Sequence, residues 1–236
     1  MISWIAFDAD DTLWENEIYY QNAQKKMQEI LAGYCSPETT NETLLQTETR
    51  NIPYFGYGIK SFGLSMIETA VQISNGEISA REIQIILESL KEMISTPVKL
   101  LPGVIKTIKI LSKDYHLMVI TKGDLLDQER KFKNSQLSPF VEVFEVVNAK
   151  EKSTYQGILD RWHILPKQFV MAGNSLRSDV LPVAAIGGIG VLISHYLTWD
   201  HEKSVNSDLQ NFPYYEIDKI KKLPGLIDKI NQSEQN

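Results

Sequence analysis

The sequence lacks several features that would place it in a specialised class of protein. Its single cysteine, Cys35, excludes a disulfide within the chain, which fits a reducing compartment. No run of about 18 apolar residues is present, so we expect no membrane-spanning helix. The first residues lack the basic and apolar segments of a signal peptide. The formal net charge of −6 provides no general basic surface for nucleic acid. We therefore expect a cytoplasmic protein with neither a membrane nor a nucleic-acid partner.

The apolar content of 43% is sufficient for a packed core in a chain of 236 residues. Five apolar runs without polar alternation predict strands of a parallel sheet that is covered on both faces. The runs are Ile2–Phe7, Leu117–Thr121, Val143–Val147, Phe169–Ala172 and Gly190–Ile193. Segments with helical spacing separate most of them, which favours right-handed βαβ units and an α/β fold. Two such segments are the stripe Tyr155, Ile158, Leu159, Trp162 and the stripe Leu176, Val180, Val183, Ala184.

The first predicted strand is not followed by a short connection back to the sheet. The alternation of strands and helices begins only at Leu101-Pro102-Gly103. The intervening sequence contains a clear helical stripe formed by Ile83, Ile86, Leu87, Leu90 and Ile94. We therefore predict a core domain of residues 1–16 and 98–236, with an inserted helical domain of residues 17–97. Inside the insertion, the aromatic and glycine-rich residues 54–58 indicate a loop.

Acidic residues follow the first predicted strand, at the edge where an open parallel sheet binds its ligands. Asp8, Asp10 and Asp11 lie within four residues of one another, and their mutual repulsion favours a bound cation. Ligands that are all oxygen atoms suit Mg²⁺. If the chain stays extended for one step, the side chains of Asp8 and Asp10 point the same way. One can then act as nucleophile and the other as acid and base. The alternative is an acidic turn that caps a helix.

The ends of the next predicted strands also carry polar groups. Thr121-Lys122-Gly123 follows the second strand, and a hydroxyl followed by backbone N–H groups at a helix start is suited to phosphate. Lys150 follows the third strand, where its charge can balance that of a phosphate. After the fourth strand, Asn174 and Asp179 offer oxygen atoms to a cation. The alternatives are a simple turn, a solvated lysine and a charge in the first turn of a helix.

Taken in order, these residues resemble the four motifs of the haloacid dehalogenase (HAD) superfamily. The first motif, Asp8-x-Asp10-x-Thr12 after a buried strand, is the most specific. The other three agree mainly in order and spacing: Thr121, Lys150, and Gly173-Asn174-Ser175 with Asp179. The resemblance covers the chain from about Ile2 to Ile193 and implies a Rossmann-like parallel sheet as the core. The insertion resembles the helical cap, of C1 type, in the capped phosphatases of the family.

The resemblance implies a magnesium-dependent phosphomonoester hydrolase that acts on a small phosphorylated metabolite. Asp8 is expected to form an aspartyl-phosphate, and Asp10 to protonate the leaving group and then deprotonate water. Mg²⁺ is expected to bind the Asp8 carboxylate, the backbone carbonyl of Asp10 and the fourth motif. Thr121-Lys122-Gly123 is expected to hold the phosphoryl oxygens. Lys150 is expected to neutralise charge between nucleophile and phosphate, with Lys152 as its rival.

The fourth motif, which is expected to supply Asn174 and Asp179 to the metal, departs from the family pattern. It usually begins with Gly-Asp, whereas this chain has Gly173-Asn174. Because a neutral amide oxygen is a weaker Mg²⁺ ligand than a carboxylate, a catalytically weakened binding protein with this fold stays open. A phosphomutase also stays open, since an aspartyl-phosphate can pass its phosphoryl group to a sugar. A dehalogenase is less consistent, because that branch of the family does not use an aspartate at the position of Asp10.

The substrate itself is not indicated by the sequence. Tyr54, Tyr57 and Lys60 of the insertion are candidates for substrate contact, although packing or solvated surface is the more common role of such side chains. Trp199-Asp200-His201 follows the fifth predicted strand and is a candidate to cover the edge of the site, with a surface loop as the alternative. The oligomeric state is not indicated either.

Overall fold

The computed structural model of the chain describes residues 1–194 and 212–233. The segment Trp199-Asp200-His201 lies outside these residues. In the described part, six parallel strands form one sheet in the order β3-β2-β1-β4-β5-β6. The strands are β1 (Trp4–Phe7), β2 (His116–Lys122), β3 (Val143–Val147), β4 (Phe169–Gly173), β5 (Ile189–Ile193) and β6 (Tyr215–Ile217). The predicted α/β fold with a parallel sheet is confirmed. The sixth strand was not predicted, because its three residues include two exposed side chains and form no apolar run.

Helices precede, connect and follow the strands. They are α1 (Glu17–Leu31), α2 (Pro37–Phe55), α3 (Ile59–Ile73), α4 (Ala80–Ser95), α5 (Val104–Leu111), α6 (Leu125–Asn134), α7 (Lys152–Arg161), α8 (Leu181–Ala184) and α9 (Leu223–Ser233). The first four all lie between β1 and α5, which is the span predicted to be a helical insertion. None of the helices in the described part of the chain combines the length and the apolar character needed to cross a membrane.

Contacts within the chain divide it into two compact units. One unit, which we call the sheet unit, contains residues 1–17, 98–122 and 131–236. The other, the helical unit, contains residues 18–97 and 123–130. The last of these segments groups with the helices, whereas the sequence placed it in the core domain.

The sheet unit is built around β1, which is the third strand in the sheet order. Side chains of this strand alternate between two apolar clusters: Ile5 and Phe7 belong to one, and Ala6 belongs to the other. All three side chains are fully buried. This alternation is the geometry of a strand with both faces of its sheet covered, and it explains the continuous apolar run in the sequence.

The helical unit has its own core. That core takes side chains from all four of its long helices: Met27, Leu31, Leu44, Phe62, Met66, Ile86 and Leu90. The predicted stripe on α4 is narrower than expected, because Leu87 and Ile94 are each 37% exposed.

The predicted loop over residues 54–58 is partly wrong. Helix α2 continues through Tyr54 and Phe55, even though Pro53 lies inside it. The helix ends at Gly56, whose N–H donates to the carbonyl of Ile52 at 2.9 Å and whose φ of 69° is readily adopted by glycine. Only residues 56–58 form the turn into α3.

Two further helical predictions need correction. The stripe that begins at Leu176 is not one α-helix: residues 176–180 form a π-helical turn, and α8 follows it. Pro182 has no N–H to continue the hydrogen bonding of the preceding turn, so the α-helical pattern restarts at Leu181. At the end of α7, Trp162 is a C-terminal cap residue with 40% exposure rather than part of the buried stripe.

Candidate active site

The sheet order brings the carboxyl ends of three neighbouring strands together. In the sequence β2-β1-β4, the last residue of β1, Phe7, pairs with Val119 on one side and with Ala172 on the other. The N–H of Asp8 donates to the carbonyl of Ala172 at 3.0 Å. Asp8 therefore leaves the sheet beside the residues that follow β4. This is the edge at which open parallel sheets bind ligands.

Lys150 contacts two of the predicted site residues. Its ammonium group donates to Oδ1 of Asp8 and, at 2.7 Å, to Oδ1 of Asp179. The side chains of Lys150 and Asp179 are each only 1% exposed. Lys152, the rival lysine, is exposed at the start of α7 and lies 5.6 Å from the ring of Phe212. Of the two lysines, Lys150 is the one that reaches Asp8.

Burial and neighbouring charges shift the pKa values of Asp8 and Lys150. Burial raises the pKa of Asp8 to about 7, against the lowering effect of Lys150 and with the support of Asp179 and Asp10. Burial lowers the pKa of Lys150, but the Asp179 and Asp8 carboxylates raise it by more, so its net pKa lies above the ordinary value. The two directions are compatible, because the lysine is stabilised by two anions while Asp8 has one cation and two anions around it. The cluster therefore holds a permanent cation beside a carboxylate that is costly to ionise.

Thr12 connects the first motif to the fourth. Its hydroxyl lies 3.0 Å from Oδ2 of Asp8 and 3.3 Å from Oδ1 of Asn174. The backbone N–H of Asn174 donates to the same hydroxyl at 3.1 Å. One hydroxyl therefore fixes the relative positions of two oxygen atoms that were predicted to bind metal.

The oxygen atoms at this edge fit a magnesium ion with few protein ligands. The Asp8 carboxylate and the Asn174 amide oxygen converge on one hydroxyl, and hard oxygen donors are the ligands that Mg²⁺ prefers. Both oxygens of Asp179 already accept hydrogen bonds, from Lys150 and from the N–H of Ser175 at 3.0 Å. Among residues 1–194 and 212–233, no three His, Cys, Asp or Glu side chains are grouped closely enough to hold a metal by themselves. A magnesium ion at this edge would therefore also need the amide oxygen of Asn174 and oxygens from water or substrate. Binding by the backbone carbonyl of Asp10 stays a prediction.

Asp10 accepts hydrogen bonds from a tryptophan and a lysine. Its Oδ1 accepts hydrogen bonds from Nε1 of Trp14 at 2.7 Å and from the ammonium of Lys131 at 3.0 Å. Strand β1 ends at Phe7, Asp10 forms an isolated bridge with Trp14, and the turn begins only at Asp11, whose φ is 59°. The extended step from Asp8 to Asp10 that the sequence suggested stays a prediction. The charge of Asp10 is the smallest of the contributions that raise the pKa of Asp8.

The predicted phosphate-binding segment lies at the end of β2, which includes Thr121 and Lys122. Thr121 is buried, and its hydroxyl donates to the carbonyl of Lys122 at 3.3 Å. The ammonium of Lys122 donates to the hydroxyl of Ser178 at 3.0 Å. Gly123 has a φ of 132°, which a side chain would strain, and Asp124 then accepts a hydrogen bond from the N–H of Asp127 at 3.1 Å. A carboxylate therefore already caps α6, and phosphate binding by this segment stays a prediction.

The candidate substrate contacts from the insertion lie in the helical unit. Tyr54 is 79% exposed at the end of α2, and Tyr57 is partly buried in the turn before α3. Lys60 forms an ion pair with Asp124 at 2.9 Å. Their roles toward a substrate stay predictions.

Four site residues received no role from the sequence. Thr12 belongs to the first motif but was assigned no contact, and Trp14 lies four positions after Asp10, a spacing that could have suggested the hydrogen bond. Lys131 is 121 positions from Asp10, and no local pattern connects them. Ser178 contacts both Lys122 and the hydroxyl of Tyr155, which donates to its carbonyl at 2.9 Å.

Comparisons with known proteins give a consistent result. No family model matches the chain. The solved structure of a haloacid dehalogenase-like family hydrolase from Xanthomonas campestris is 36% identical, covers 100% of this chain and 95% of its own, and superposes with a TM-score of 0.87. The HAD-hydrolase YfnB from Bacillus subtilis, solved with bound magnesium, is 18% identical over 96% of this chain and 99% of its own, with a TM-score of 0.65, and shows the shared fold. A glyceraldehyde 3-phosphate phosphatase from Pyrococcus furiosus is 22% identical over 98% of this chain and 95% of its own. The chain belongs to the haloacid dehalogenase-like family of hydrolases.

Proposed function

We propose that the chain is a magnesium-dependent phosphomonoester hydrolase that acts on small phosphorylated metabolites through an aspartyl-phosphate on Asp8. The observation that carries the proposal is the contact of the Lys150 ammonium with the Asp8 carboxylate, beside a second aspartate, Asp10, that is held by its own donors. A cytoplasmic location and the role of residues 17–97 as a cap domain are part of the same proposal.

The charge of Lys150 addresses the main difficulty of the reaction. A carboxylate that approaches a phosphate dianion is repelled, and two unit charges at about 4 Å interact by about 4 kcal/mol at an effective dielectric constant near 20. Lys150 offsets that repulsion without any change in its own position, because Asp8 and Asp179 already hold it in place. Electrostatic stabilisation of this kind is the main contribution that proteins make to phosphoryl transfer.

Asp8 and Asp10 divide the chemistry between them. A carboxylate oxygen of Asp8 forms a bond to phosphorus while the bond from phosphorus to the leaving oxygen breaks, and Asp10 gives its proton to that oxygen. Asp10 then takes a proton from a water molecule that attacks the same phosphorus. The bond to Asp8 breaks, which returns its carboxylate and releases inorganic phosphate.

Asp8, Asn174 and the backbone carbonyl of Asp10 would hold Mg²⁺, which would supply further positive charge for the phosphoryl oxygens and lower the cost of ionising Asp8. Asp179 contributes by holding Lys150 and by accepting the N–H of Ser175, which fixes the turn after β4. Thr121 and Lys122, at the end of β2, are proposed to hold the phosphoryl group from the other side.

The second aspartate favours phosphate ester hydrolysis over dehalogenation. Dehalogenation expels a halide that needs no proton, whereas an alkoxide leaving group needs an acid at the position of Asp10. The similarity to a glyceraldehyde 3-phosphate phosphatase supports a small phosphorylated substrate. Transfer to a second sugar would require that water be kept from the aspartyl-phosphate, and no observation favours it.

The test measures phosphate release from a panel of phosphorylated metabolites, with Mg²⁺ and with a chelator. Asp8→Asn is compared with the wild-type chain and with Asp114→Asn, which changes an exposed aspartate of the same unit. We expect magnesium-dependent release by the wild-type and control proteins and none by Asp8→Asn. A folded wild-type protein that releases no phosphate would favour a binding protein, and an unchanged kcat in Asp8→Asn would exclude Asp8 as the nucleophile.

A further inference from the structure

One oxygen of Asp10 is occupied by two donors that cannot accept a proton. Trp14 donates through Nε1 at 2.7 Å and Lys131 through its ammonium at 3.0 Å, both to Oδ1. An indole N–H and a lysine ammonium are donors only, and a carboxylate oxygen has two lone pairs for such bonds. A proton on Oδ1 would displace one of these two hydrogen bonds.

The ammonium of Lys131 is itself held in position. It donates to Oδ1 of Asn16 at 2.7 Å, and the side chain is only 13% exposed. The N–H groups of Asn16 and Glu17 donate to the two oxygens of Asp11, at 3.0 and 2.9 Å. Lysine normally keeps its ammonium in water, so a largely buried ammonium with two side-chain acceptors indicates a specific role.

We propose that Lys131 is a positioning residue for Asp10: together with Trp14 it fixes, through Oδ1, the orientation of the carboxyl group that gives its proton to the leaving group. This inference rests on the proposed phosphomonoester hydrolysis. It adds a basic residue from the last turn of α6 to a reaction otherwise assigned to the residues that follow the sheet strands. A carboxyl group whose orientation is fixed in advance needs no reorganisation when the leaving group departs.

The role of Lys131 lies in both proton transfers. In the first step, the proton moves from the Asp10 carboxyl group to the leaving oxygen as its bond to phosphorus breaks. In the second, the Asp10 carboxylate recovers a proton from the attacking water, and the aspartyl-phosphate is released as inorganic phosphate and the Asp8 carboxylate. Lys131 keeps its own proton throughout and holds the Asp10 carboxyl group in the same orientation for both transfers.

The leaving group distinguishes this role from a merely structural one. An alkyl phosphate such as glycerol phosphate needs its leaving oxygen protonated, whereas p-nitrophenyl phosphate expels a stabilised anion. The value of kcat/KM reports the steps up to loss of the leaving group. Lys131→Met should therefore lower kcat/KM for glycerol phosphate by about 10- to 100-fold, as expected for a misplaced catalytic group. For p-nitrophenyl phosphate kcat/KM should change little, while kcat falls because water attack still needs Asp10.

Three controls make the result specific. Lys133→Met removes an exposed lysine of the same helix, and kcat and kcat/KM should be unchanged for both substrates. In the double variant Asp10→Asn with Lys131→Met, loss of Lys131 should add nothing to the effect of Asp10→Asn, because the lysine acts through Asp10. Lys131→Gln keeps a neutral donor at this position, and its kcat/KM for glycerol phosphate should lie between those of the wild type and Lys131→Met. It replaces Lys131→Met in the test if that variant does not fold.

Two results would overturn the inference, and they are distinguishable. One result is an equal fall in kcat/KM for both substrates, or no fall for glycerol phosphate, in a Lys131→Met enzyme that is otherwise active. It would show that Lys131 does not position the acid, while the proposed function would stand. Absence of turnover on either substrate by the folded wild-type protein with Mg²⁺ would overturn the proposed function and this inference with it.

Discussion

Lys150 contacts Asp8 through its ammonium group although 142 positions separate them in the chain. The sheet order produces this contact, because β3, which precedes Lys150, and β1, which precedes Asp8, are parallel strands separated only by β2, and their carboxyl ends lie at the same edge of the sheet. Both side chains are buried, so the charge of each depends on the other and on Asp179. The stability of the fold and the chemistry of the site are therefore linked at this point.

Removal of the Lys150 charge should lower both the stability of the fold and the catalytic activity. Lys150→Met leaves Asp8 and Asp179 as buried carboxylates without a cation, and breaking a buried ion pair in this way costs about 3–5 kcal/mol in the free energy of unfolding. Phosphate release should fall to background. Urea unfolding measures the first effect, and Lys152→Met, at the exposed neighbouring lysine, should lie within about 0.5 kcal/mol of the wild type. Equal stability of the two variants would show that the ion pair is not formed in solution.

The pH dependence of stability follows from the raised pKa of Asp8. Burial raises it from 3.8 to about 7, so its contribution to folding is complete below its unfolded pKa and is lost as the pH rises toward 7. Asp8→Asn removes this loss. Without metal and near pH 8, the variant should therefore be more stable than the wild type by a few kcal/mol, since each unit of pKa shift corresponds to about 1.4 kcal/mol.

Urea unfolding with a chelator at several pH values between about 4 and 8 checks this expectation. The difference between Asp8→Asn and the wild type should narrow toward the acid end of the range, and Asp114→Asn should show no such trend. A stability difference that is constant with pH, or that grows as the pH falls, would contradict the pKa direction.

Asn174 should limit the affinity for magnesium. Asn174→Asp places a carboxylate where the amide oxygen now lies against the Thr12 hydroxyl, and a second charged ligand binds Mg²⁺ more tightly. We expect the Mg²⁺ concentration for half-maximal activity to fall by about tenfold, which corresponds to about 1.4 kcal/mol. Asn22→Asp, at an exposed position of α1, is the control. An unchanged magnesium requirement in Asn174→Asp would indicate that this side chain is not a ligand.

Gly173 is required for the close packing of the fourth motif. A Cβ atom at this position would overlap the carboxylate of Asp179, which is fixed by Lys150 and by the N–H of Ser175. Gly173→Ala should therefore destabilise the protein by about 1–3 kcal/mol and lower turnover. Gly157→Ala is the matched control, because that helical glycine has open space around its Cβ position and alanine favours a helix. If Gly173→Ala is as stable and active as Gly157→Ala, the turn after β4 is not as tight as the structure indicates.

The sequence was most informative where local pattern and tertiary structure agree. The apolar runs predicted five strands because both faces of the sheet are covered, and the residues that follow β1, β3 and β4 meet as expected. The sequence was less informative where tertiary contacts or backbone geometry determine the secondary structure. The strand β6 has no apolar run, and the π-helical turn before α8 interrupts a spacing that otherwise indicates one helix.

The network of Asp10 shows the same limit within the site. Trp14 is near enough in sequence to be found from its spacing, but Lys131 reaches Asp10 only through the fold. Charge does not separate Lys150 from Lys152, and in the sequence only the family resemblance favoured Lys150. They are separated by burial, because one lysine lies between two carboxylates and the other lies on the surface.

The most direct test of the proposed chemistry is detection of the phosphoryl group on Asp8. The enzyme is mixed with a phosphomonoester and Mg²⁺, quenched with acid, digested and analysed by mass spectrometry, with a second sample treated with hydroxylamine, which cleaves acyl phosphates. We predict one hydroxylamine-sensitive phosphoryl group on the peptide that contains Asp8, and none in Asp8→Asn. Turnover without any such species under single-turnover conditions, or a phosphoryl group on another residue, would contradict the proposal that Asp8 is the nucleophile.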